Sequence, residues 1–480
     1  MSPGKEKPTG KKVDTPPKER TGGRKPGAPP VEDPEDVRAH APVHLIAQSP
    51  RGMADILPDA HQYWDIISDT AQRIAAGFNM KRISTPVVEA APVFTKGIGE
   101  GTDIVEKEMY FLRDRGGEGK LALRPEFTAG VVRAYLEHGM ASWPQPVRLW
   151  TIGPLFRHDR PQAGRYRQMH QFNVEVIGEE HPIVDAQVIH LAYEFFATLQ
   201  LDTFRIDINS IGCLNAICRP AYLAALKAHA QENIRKLCAD CKRRLKTHPL
   251  RILDCKEEKC QVVANTAPKI PDRLCDECAA HFRSVLKYLQ ELSIPVRENP
   301  RLVRGFDYYT RTTFEFVSTL PATEEVSGLS LCGGGRYDGL VELLGGPPTP
   351  AVGFGAGIER TILQMRAEGV EVNMTTTPDV FLAHLGELGQ RKSLKLFDDL
   401  RRAGFRVAEA FHKEGIKAQL RVADRLRGSW TLILGQKEAL DNTVILRNME
   451  SGMQETIDAN LDALLPALRK RLHRELPPSS

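Results

Sequence analysis

The sequence predicts an α+β protein: an antiparallel sheet interrupted by a helical insertion, followed by a small C-terminal α/β domain. Three observations carry this. The stretch from Arg148 to Glu175 reads as strand, basic loop, strand; on the second strand Gln171, Asn173 and Glu175 share one face, while Phe172, Val174 and Val176 share the other. Eight of the nine cysteines fall between Cys213 and about Pro295, among basic helical stretches such as Cys241-Lys-Arg-Arg-Leu-Lys246, with strand patterns on either side at 204–209 and 312–317. Beyond Pro378, short apolar strands alternate with helices (379–385, a helical run to Arg402, 405–409, then 430–435), as a small α/β unit requires.

A chain of 480 residues exceeds what one hydrophobic core serves, so two to four domains are expected. The 41% hydrophobic and 26% charged composition is that of a soluble globular protein. A net charge of +4 is too mild to name a partner, because an enzyme handling a polyanion concentrates its basic charge locally. No run of 18 or more apolar residues appears, which argues against a membrane-spanning helix. The N-terminus lacks the apolar core of a signal peptide, so the expected location is the cytoplasm. There, cysteines read as thiols or metal ligands rather than disulfides.

Taken in order, residues 1–46 form a disordered basic tail: the first thirty carry eight Lys/Arg against three Asp/Glu, with too few apolar residues to offset the entropy of folding. The first part of the sheet domain spans 47–212. In it, Tyr63, Trp64, Ile66, Ile67, Ile74 and Phe78 follow helical spacing after a start at Pro58-Asp59. Residues 81–89 read as a strand that Pro86 confines to an edge or bulge. Residues 109–112 and 121–124 flank a Gly-rich turn and suggest a hairpin. The Cys-rich helical insertion occupies 213–296, the second part of the sheet domain 297–370, and the terminal α/β domain 378–475.

The first strand of the central pair ends in Arg157, which puts a planar guanidinium, able to grip phosphate or carboxylate at two points, at the mouth of a polar sheet face. The segment Gly153-Pro-Leu-Phe-Arg-His-Asp-Arg160 and its continuation to Glu175 resemble motif 2 of the class II aminoacyl-tRNA synthetases, in the form found in the histidyl-tRNA synthetase family. Arg301-Leu-Val-Arg-Gly-Phe-Asp-Tyr-Tyr309 and Leu331-Cys-Gly-Gly-Gly-Arg-Tyr-Asp-Gly339 resemble two signatures of that family, and Ala351-Val-Gly-Phe-Gly-Ala-Gly-Ile-Glu-Arg360 resembles class II motif 3. The four lie in order within a match running from about Arg51 to the C-terminus.

The resemblance implies a class II synthetase antiparallel-sheet catalytic domain with a helical insertion that packs over the acceptor arm of tRNA, plus a C-terminal α/β anticodon-binding domain. It further implies a homodimer joined through the helix–strand–proline unit of motif 1. The implied activity is ATP-dependent conversion of histidine to histidyl-adenylate, with Mg2+, then transfer to the 3′ end of histidine tRNA. A catalytically silent relative, the regulatory subunit of ATP phosphoribosyltransferase, shares the fold and binds histidine as a sensor. It usually lacks the anticodon domain and has eroded arginines, whereas this chain keeps both.

Adenylate formation concentrates negative charge on a phosphoryl group, so it depends on positioning and fixed cations. By resemblance Arg157 holds the α-phosphate and the substrate carboxylate, Arg360 the γ-phosphate, and Arg304 acts near the α-phosphate; Arg304 and Arg157 are the catalytic pair. Gly355 and Gly357 permit close approach of the backbone to ATP. Histidine needs an acceptor for its ammonium and partners for both ring nitrogens. Glu126, Thr128 and Gln171 suit the ammonium end, and Glu175 and Tyr309 suit the imidazole; Tyr308, Arg157 and Arg304 complete the histidine-binding set. Phe127 stands where many family members carry glycine.

The basic loop 158–165 suits phosphate contacts on a tRNA acceptor end, where Gln162 can make a base-edge bond, and the resemblance gives the loop a part in reading the extra 5′ guanosine of histidine tRNA. Lys413, Lys417, Arg421 and Arg425 make a candidate anticodon surface. The cysteines form four close pairs, Cys213/Cys218, Cys238/Cys241, Cys255/Cys260 and Cys275/Cys278, of which the second and fourth have Cys-x-x-Cys spacing; this predicts at least one structural zinc, held most readily by Cys238, Cys241, Cys275 and Cys278.

Overall fold

The computed structural model describes residues 48–99, 101–113, 119–162, 164–372 and 377–472. The tail expected over 1–46 lies outside them. Helix α1 (Pro58–Gly77) starts at a proline, whose absent N–H has no partner to lose in a first turn, and buries Ile67, Ala71 and Ala75. The strand expected over 81–89 is divided at Pro86 into β1 (Lys81–Arg82) and β2 (Val88–Ala90), followed by α2 (Ala91–Ile98). Strand β3 (Leu121–Leu123) pairs with β2. The expected hairpin is present as well, through Leu112 N–H to Leu121 O and Leu123 N–H to Tyr110 O, both 2.9 Å. Helix α3 (Thr128–Glu137) follows, preceded by Phe127 at φ −96°, a backbone that does not need glycine.

Next come β4 (Val147–Phe156), β5 (Gln168–Ile177), α4 (Pro182–Thr198) and β6 (Phe204–Ser210). The inserted helices are α5 (Arg219–Glu232), α6 (Ala239–Thr247) and α7 (Glu258–Asn265), after which α8 (Asp276–Glu291) leads back to the sheet. The chain continues through β7 (Val296–Glu298), β8 (Thr310–Ser318), β9 (Ser330–Arg336), α9 (Leu340–Leu343), β10 (Ala351–Gly357) and α10 (Ile358–Ala367). Eight strands form one sheet in the order β1-β4-β5-β10-β9-β8-β6-β7, antiparallel except at its two edges, where β1 runs parallel to β4 and β7 to β6.

One face of this sheet is apolar. Phe172, Val174 and Val176 of β5, Phe354 of β10 and Phe314 and Phe316 of β8 pack with Ile67 of α1 and with Phe195 and Phe196 of α4. Phe282, Val285 and Leu289 of α8 join the same cluster, an i, i+3, i+7 stripe. Helix α8 was expected within the insertion; its apolar stripe makes it part of the layer beneath the sheet instead. A charged pair is sealed into this region: Arg336 of β9 and Asp185 of α4 are both fully buried and bonded to each other, with Arg336 also donating to the Glu179 carbonyl at 2.9 Å.

The C-terminal domain has its own sheet, ordered β12-β11-β13-β14-β15: β11 (Val380–His384), β12 (Val407–Glu409), β13 (Trp430–Leu434), β14 (Thr443–Asn448) and β15 (Gln454–Asp458). Helices α11 (Gly386–Arg402), α12 (Ile416–Arg425), α13 (Gln436–Asp441) and α14 (Leu461–Leu472) complete it. Its core gathers Val380, Leu382, Leu400, Leu432, Leu446 and Leu468. Among the described residues no helix is long and apolar enough to cross a membrane.

Removing one partner of a buried ion pair strands the other charge away from water. Asp185→Ala is therefore expected to destabilise the sheet domain by about 3–5 kcal/mol, read as a lowered urea midpoint followed by tryptophan fluorescence. Asp185→Asn, which keeps an acceptor, should lose less; equal stability of wild type and Asp185→Ala would show that the pair contributes nothing.

Candidate active site

The second face of the sheet carries the site, and strand register explains why it is open. Across neighbouring strands Glu175 stands opposite Gly353, which stands opposite Gly335. In the next row Asn173, Gly355, Gly333 and Glu315 follow one another, and in the third Gln171 faces Gly357. Residues in register point their side chains to the same side. The polar side chains of β5 therefore lie over glycines rather than against other side chains. A Cβ on Gly353 would collide with the Glu175 carboxyl, one on Gly333 with the Arg304 guanidinium, and one on Gly355 would sit 2.7 Å from Gln171 Oε1. The result is a cleft of about 1390 Å³ lined by Glu126, Thr128, Arg157, Gln171, Glu175's neighbours Asn173 and Tyr337, and Arg304, Tyr308, Tyr309, Gly355, Gly357 and Arg360.

Behind the lining Glu175 is buried and accepts from Thr128 Oγ1 at 2.6 Å and from the Tyr337 hydroxyl. Burial pushes its carboxyl up to about 8, against the lowering effect of those two donors. Glu126, also buried, accepts from the Thr128 and Ala129 backbone N–H groups at 2.6 and 2.8 Å, so it caps the first turn of α3 while facing the cleft. Burial raises its pKa too. Tyr308 and Tyr309 pack at 4.7 Å between ring centroids, and Tyr308 meets Tyr337 edge-on at 5.6 Å.

Three arginines line the same cleft, and Arg304 brings its guanidinium carbon to 5.9 Å from the Tyr309 ring centroid. Arg157 Nε donates to Pro125 O at 2.8 Å, and its guanidinium carbon lies 5.5 Å from the Phe306 ring centroid. Arg304 Nη1 pairs with Glu315 Oε1 at 3.0 Å, while its buried Nε has no partner among the described residues. Arg360 is fixed by Gly164 O at 2.8 Å and Ser330 O at 2.6 Å. Burial, then the proximity of Arg165 and Arg157, lowers its pKa to about 10. Crowded, partly desolvated arginines with spare donors make an anion site. Gln162 is exposed on the loop between β4 and β5, outside the cleft lining.

Two participants were not singled out from the sequence. Tyr337 lies within a recognised signature, yet only the fold brings its hydroxyl to Glu175. Glu315 could have been suspected, since it alternates with Phe314 and Phe316 on β8. The expected zinc set is corrected: Cys238 and Cys241 meet Cys255 and Cys260, while Cys275 and Cys278 meet Cys213 and Cys218. Chain spacing identifies close pairs but not which pairs the helices bring together.

Glu175 gives a pH test of its burial. An acid whose folded pKa is near 8, against about 4.3 when exposed, holds a proton in the folded state that the unfolded chain releases between those values. Its contribution to stability is therefore full below about pH 4 and lost as pH rises through 8. Between pH 6 and 8.5 the urea midpoint of wild type should fall relative to that of Glu175→Gln, which cannot titrate. Parallel profiles would place the carboxyl near its ordinary range.

The comparisons with known proteins agree with this geometry. The histidyl-tRNA synthetase family model matches residues 52–361, and the anticodon binding domain model matches 379–471. The histidine–tRNA ligase of Dehalococcoides mccartyi is 48% identical over 425 residues, 88% of this chain and 100% of that protein. The crystal structure of apo Staphylococcus aureus histidyl-tRNA synthetase aligns with a TM-score of 0.73 at 36% identity, covering 89% of this chain and 100% of that one. A Bacillus halodurans ATP phosphoribosyltransferase regulatory subunit/histidyl-tRNA synthetase (TM-score 0.58, 20% identity, 81% of this chain and 98% of that one) shares the fold alone. A cleft built from all four sequence motifs, a family match over most of the chain and an anticodon-binding domain at its end together mean that the chain belongs to the histidyl-tRNA synthetases, class II aminoacyl-tRNA synthetases that act as histidine–tRNA ligases.

Proposed function

We propose that the cleft binds histidine with its imidazole at the Glu175 end and its carboxylate toward the arginines, so that the carboxylate attacks the α-phosphate of ATP. The observation that carries this reading is the lining of the cleft, which brings buried carboxyl and phenol groups together with three guanidinium groups. Glu175, already holding Thr128 and Tyr337, offers its remaining lone pairs to a ring N–H, with Tyr308 and Tyr309 walling the ring. Glu126 and Gln171 accept from the ammonium. Arg157 spans the carboxylate and α-phosphate, Arg304 meets the charge that grows on the phosphoryl oxygens, and Arg360 holds the γ-phosphate, with Gly355 and Gly357 letting the nucleotide lie against the backbone. Among the described residues Arg304 Nε and Asn173 Oδ1 have no partner, and a ligand would satisfy them.

Mg2+ fits as a companion of the nucleotide rather than a resident ion. Among the described residues the cleft offers no group of three carboxylate or imidazole ligands within reach of one ion; magnesium keeps phosphate and water ligands readily. It would neutralise phosphate charge. The adenylate would then acylate the 3′ end of histidine tRNA, with Gln162 on its exposed loop contacting the acceptor end. Lys417, Arg421 and Arg425, exposed at four-residue spacing on α12, would face the anticodon arm together with Lys413 just before it. A cytoplasmic homodimer joined through α1 and β1 completes the reading.

Histidine-dependent exchange of pyrophosphate into ATP tests it. Wild type should exchange with histidine and with no other amino acid. Glu175→Ala should raise the KM for histidine by the equivalent of about 1–3 kcal/mol and leave that for ATP nearly unchanged. Arg304→Ala should slow single-turnover adenylation by about 10²–10³-fold and weaken histidine binding far less. Normal adenylation in Arg304→Ala, or equal losses for both substrates in Glu175→Ala, would reverse the assigned orientation.

A further inference from the structure

We propose that the inserted segment holds two structural zinc ions in separate tetrathiolate sites. The first comprises Cys213, Cys218, Cys275 and Cys278; the second comprises Cys238, Cys241, Cys255 and Cys260. Within each set the four sulfurs all lie within 4.8 Å of one another. Cys213 and Cys275 are 3.8 Å apart at sulfur, and Cys238 and Cys255 3.9 Å. With a Zn–S bond of about 2.3 Å, a regular tetrahedron has an edge of about 3.8 Å. A disulfide would need about 2.05 Å. A multi-iron cluster spreads its thiolates wider than these sets do.

The surroundings match the geometry. Backbone N–H groups reach the sulfurs, from Cys238 to Cys260 Sγ at 3.1 Å, from Cys241 to Cys238 Sγ at 3.4 Å and from Cys275 to Cys218 Sγ at 3.4 Å. Such bonds fix thiolates around a metal. Cys218, Cys241, Cys260 and Cys278 are fully buried. Cys241, Cys255 and Cys260, with Cys238 packed against them, sit in a small cluster whose other buried members among the described residues are Ala230, Leu237, Leu245, Ile252 and Val263. A cluster this small gains from a cross-link, although Tyr222, Leu226, Leu253, Ala264 and Ile270 of the same segment pack against the sheet domain.

The two sites differ in what they tie. The first fixes the start of the insertion, just after β6, to the start of α8. The second fixes the N-terminus of α6, where Cys238 is the capping residue, to the loop and helix carrying Cys255 and Cys260. Helix α6 forms an outer wall of the active-site cleft and is anchored across it by Arg243 and Arg244 to Asp103, at 3.2 and 2.9 Å. Loss of the second ion should therefore loosen the cleft wall, while loss of the first should mainly lower the stability of the insertion.

Elemental analysis of the full chain purified without chelator should give about two zinc ions per chain and no iron, given four thiolates per ion. Cys260→Ser and Cys218→Ser should each retain about one. Because either variant could misfold, wild type grown with cobalt supplies the second measurement: tetrathiolate Co2+ should give intense visible bands and sulfur-to-cobalt charge transfer, scaling with two ions per chain. Only Cys260→Ser should raise the KM for histidine or ATP at full stability of the remaining fold. A content below about half an ion per chain, a single ion, iron in place of zinc, or cysteines protected as disulfides under denaturing alkylation would each overturn the proposal.

Discussion

Glu175, Gln171 and Arg304 occupy space that any side chain at 353, 355 or 333 would fill, and the rest of the site depends on that. A central sheet position is ordinarily occupied on both faces, because strands alternate their side chains. Here β9 and β10 present glycine on the cleft side and bulky residues on the other: Phe354 and Ala356 alternate with Gly353, Gly355 and Gly357. Gly334 is the exception, and it serves the apolar face, where a Cβ would press to 2.7 Å against Phe314 and Phe354. A slip of one residue between β5 and β10 would bring phenylalanine over the carboxyl and glycine into the core. The apolar layer beneath α1, α4 and α8 thus sets the register that keeps the polar face empty enough to bind.

The same burial disfavours charge on two groups of the site. Glu175 is pushed to about 8 and Arg360 down to about 10, each toward its uncharged form. In both cases the first cause is loss of water. Arg360 also faces Arg157 and Arg165, so a bound anion is favoured there by more than one pair interaction. On the proposed reading, ligands of complementary charge would complete such a site, as fixed dipoles and ions do for a transition state.

Much of this was legible in the residues. The alternation of Gln171, Asn173 and Glu175 with Phe172, Val174 and Val176 named the two faces of β5 correctly, because a period of two is a local property. The same reasoning located α1 from its spacing and divided the edge strand at Pro86. What escaped were relations between distant segments. Tyr337 and Glu175 are 162 positions apart, and four cysteine pairs can be matched in three ways that spacing cannot rank. Helix α8 looked like part of the insertion because cysteines mark its first turn; its apolar stripe, at 282, 285 and 289, was the better guide. The hairpin β14–β15 is short, and its second strand is mostly exposed, so hydrophobic pattern says little there.

The two walls of the cleft are consequently held by different physics. The inner wall, β5 with β10 and β9, rests on a deep apolar layer, so its geometry is maintained by close packing and changes only with the whole sheet. The outer wall at α6 has two buried side chains, Cys241 and Leu245, over nine residues, and its attachments to Asp103 are ion pairs, in which Lys107 and Arg244 outweigh burial and hold the Asp103 carboxyl below the usual carboxylate range. Half-exposed pairs of that kind are screened and individually weak. A wall so lightly packed is held more weakly than the sheet behind it, and its position depends on charge pairs and, with the proposed ions bound, on thiolate cross-links rather than on a core.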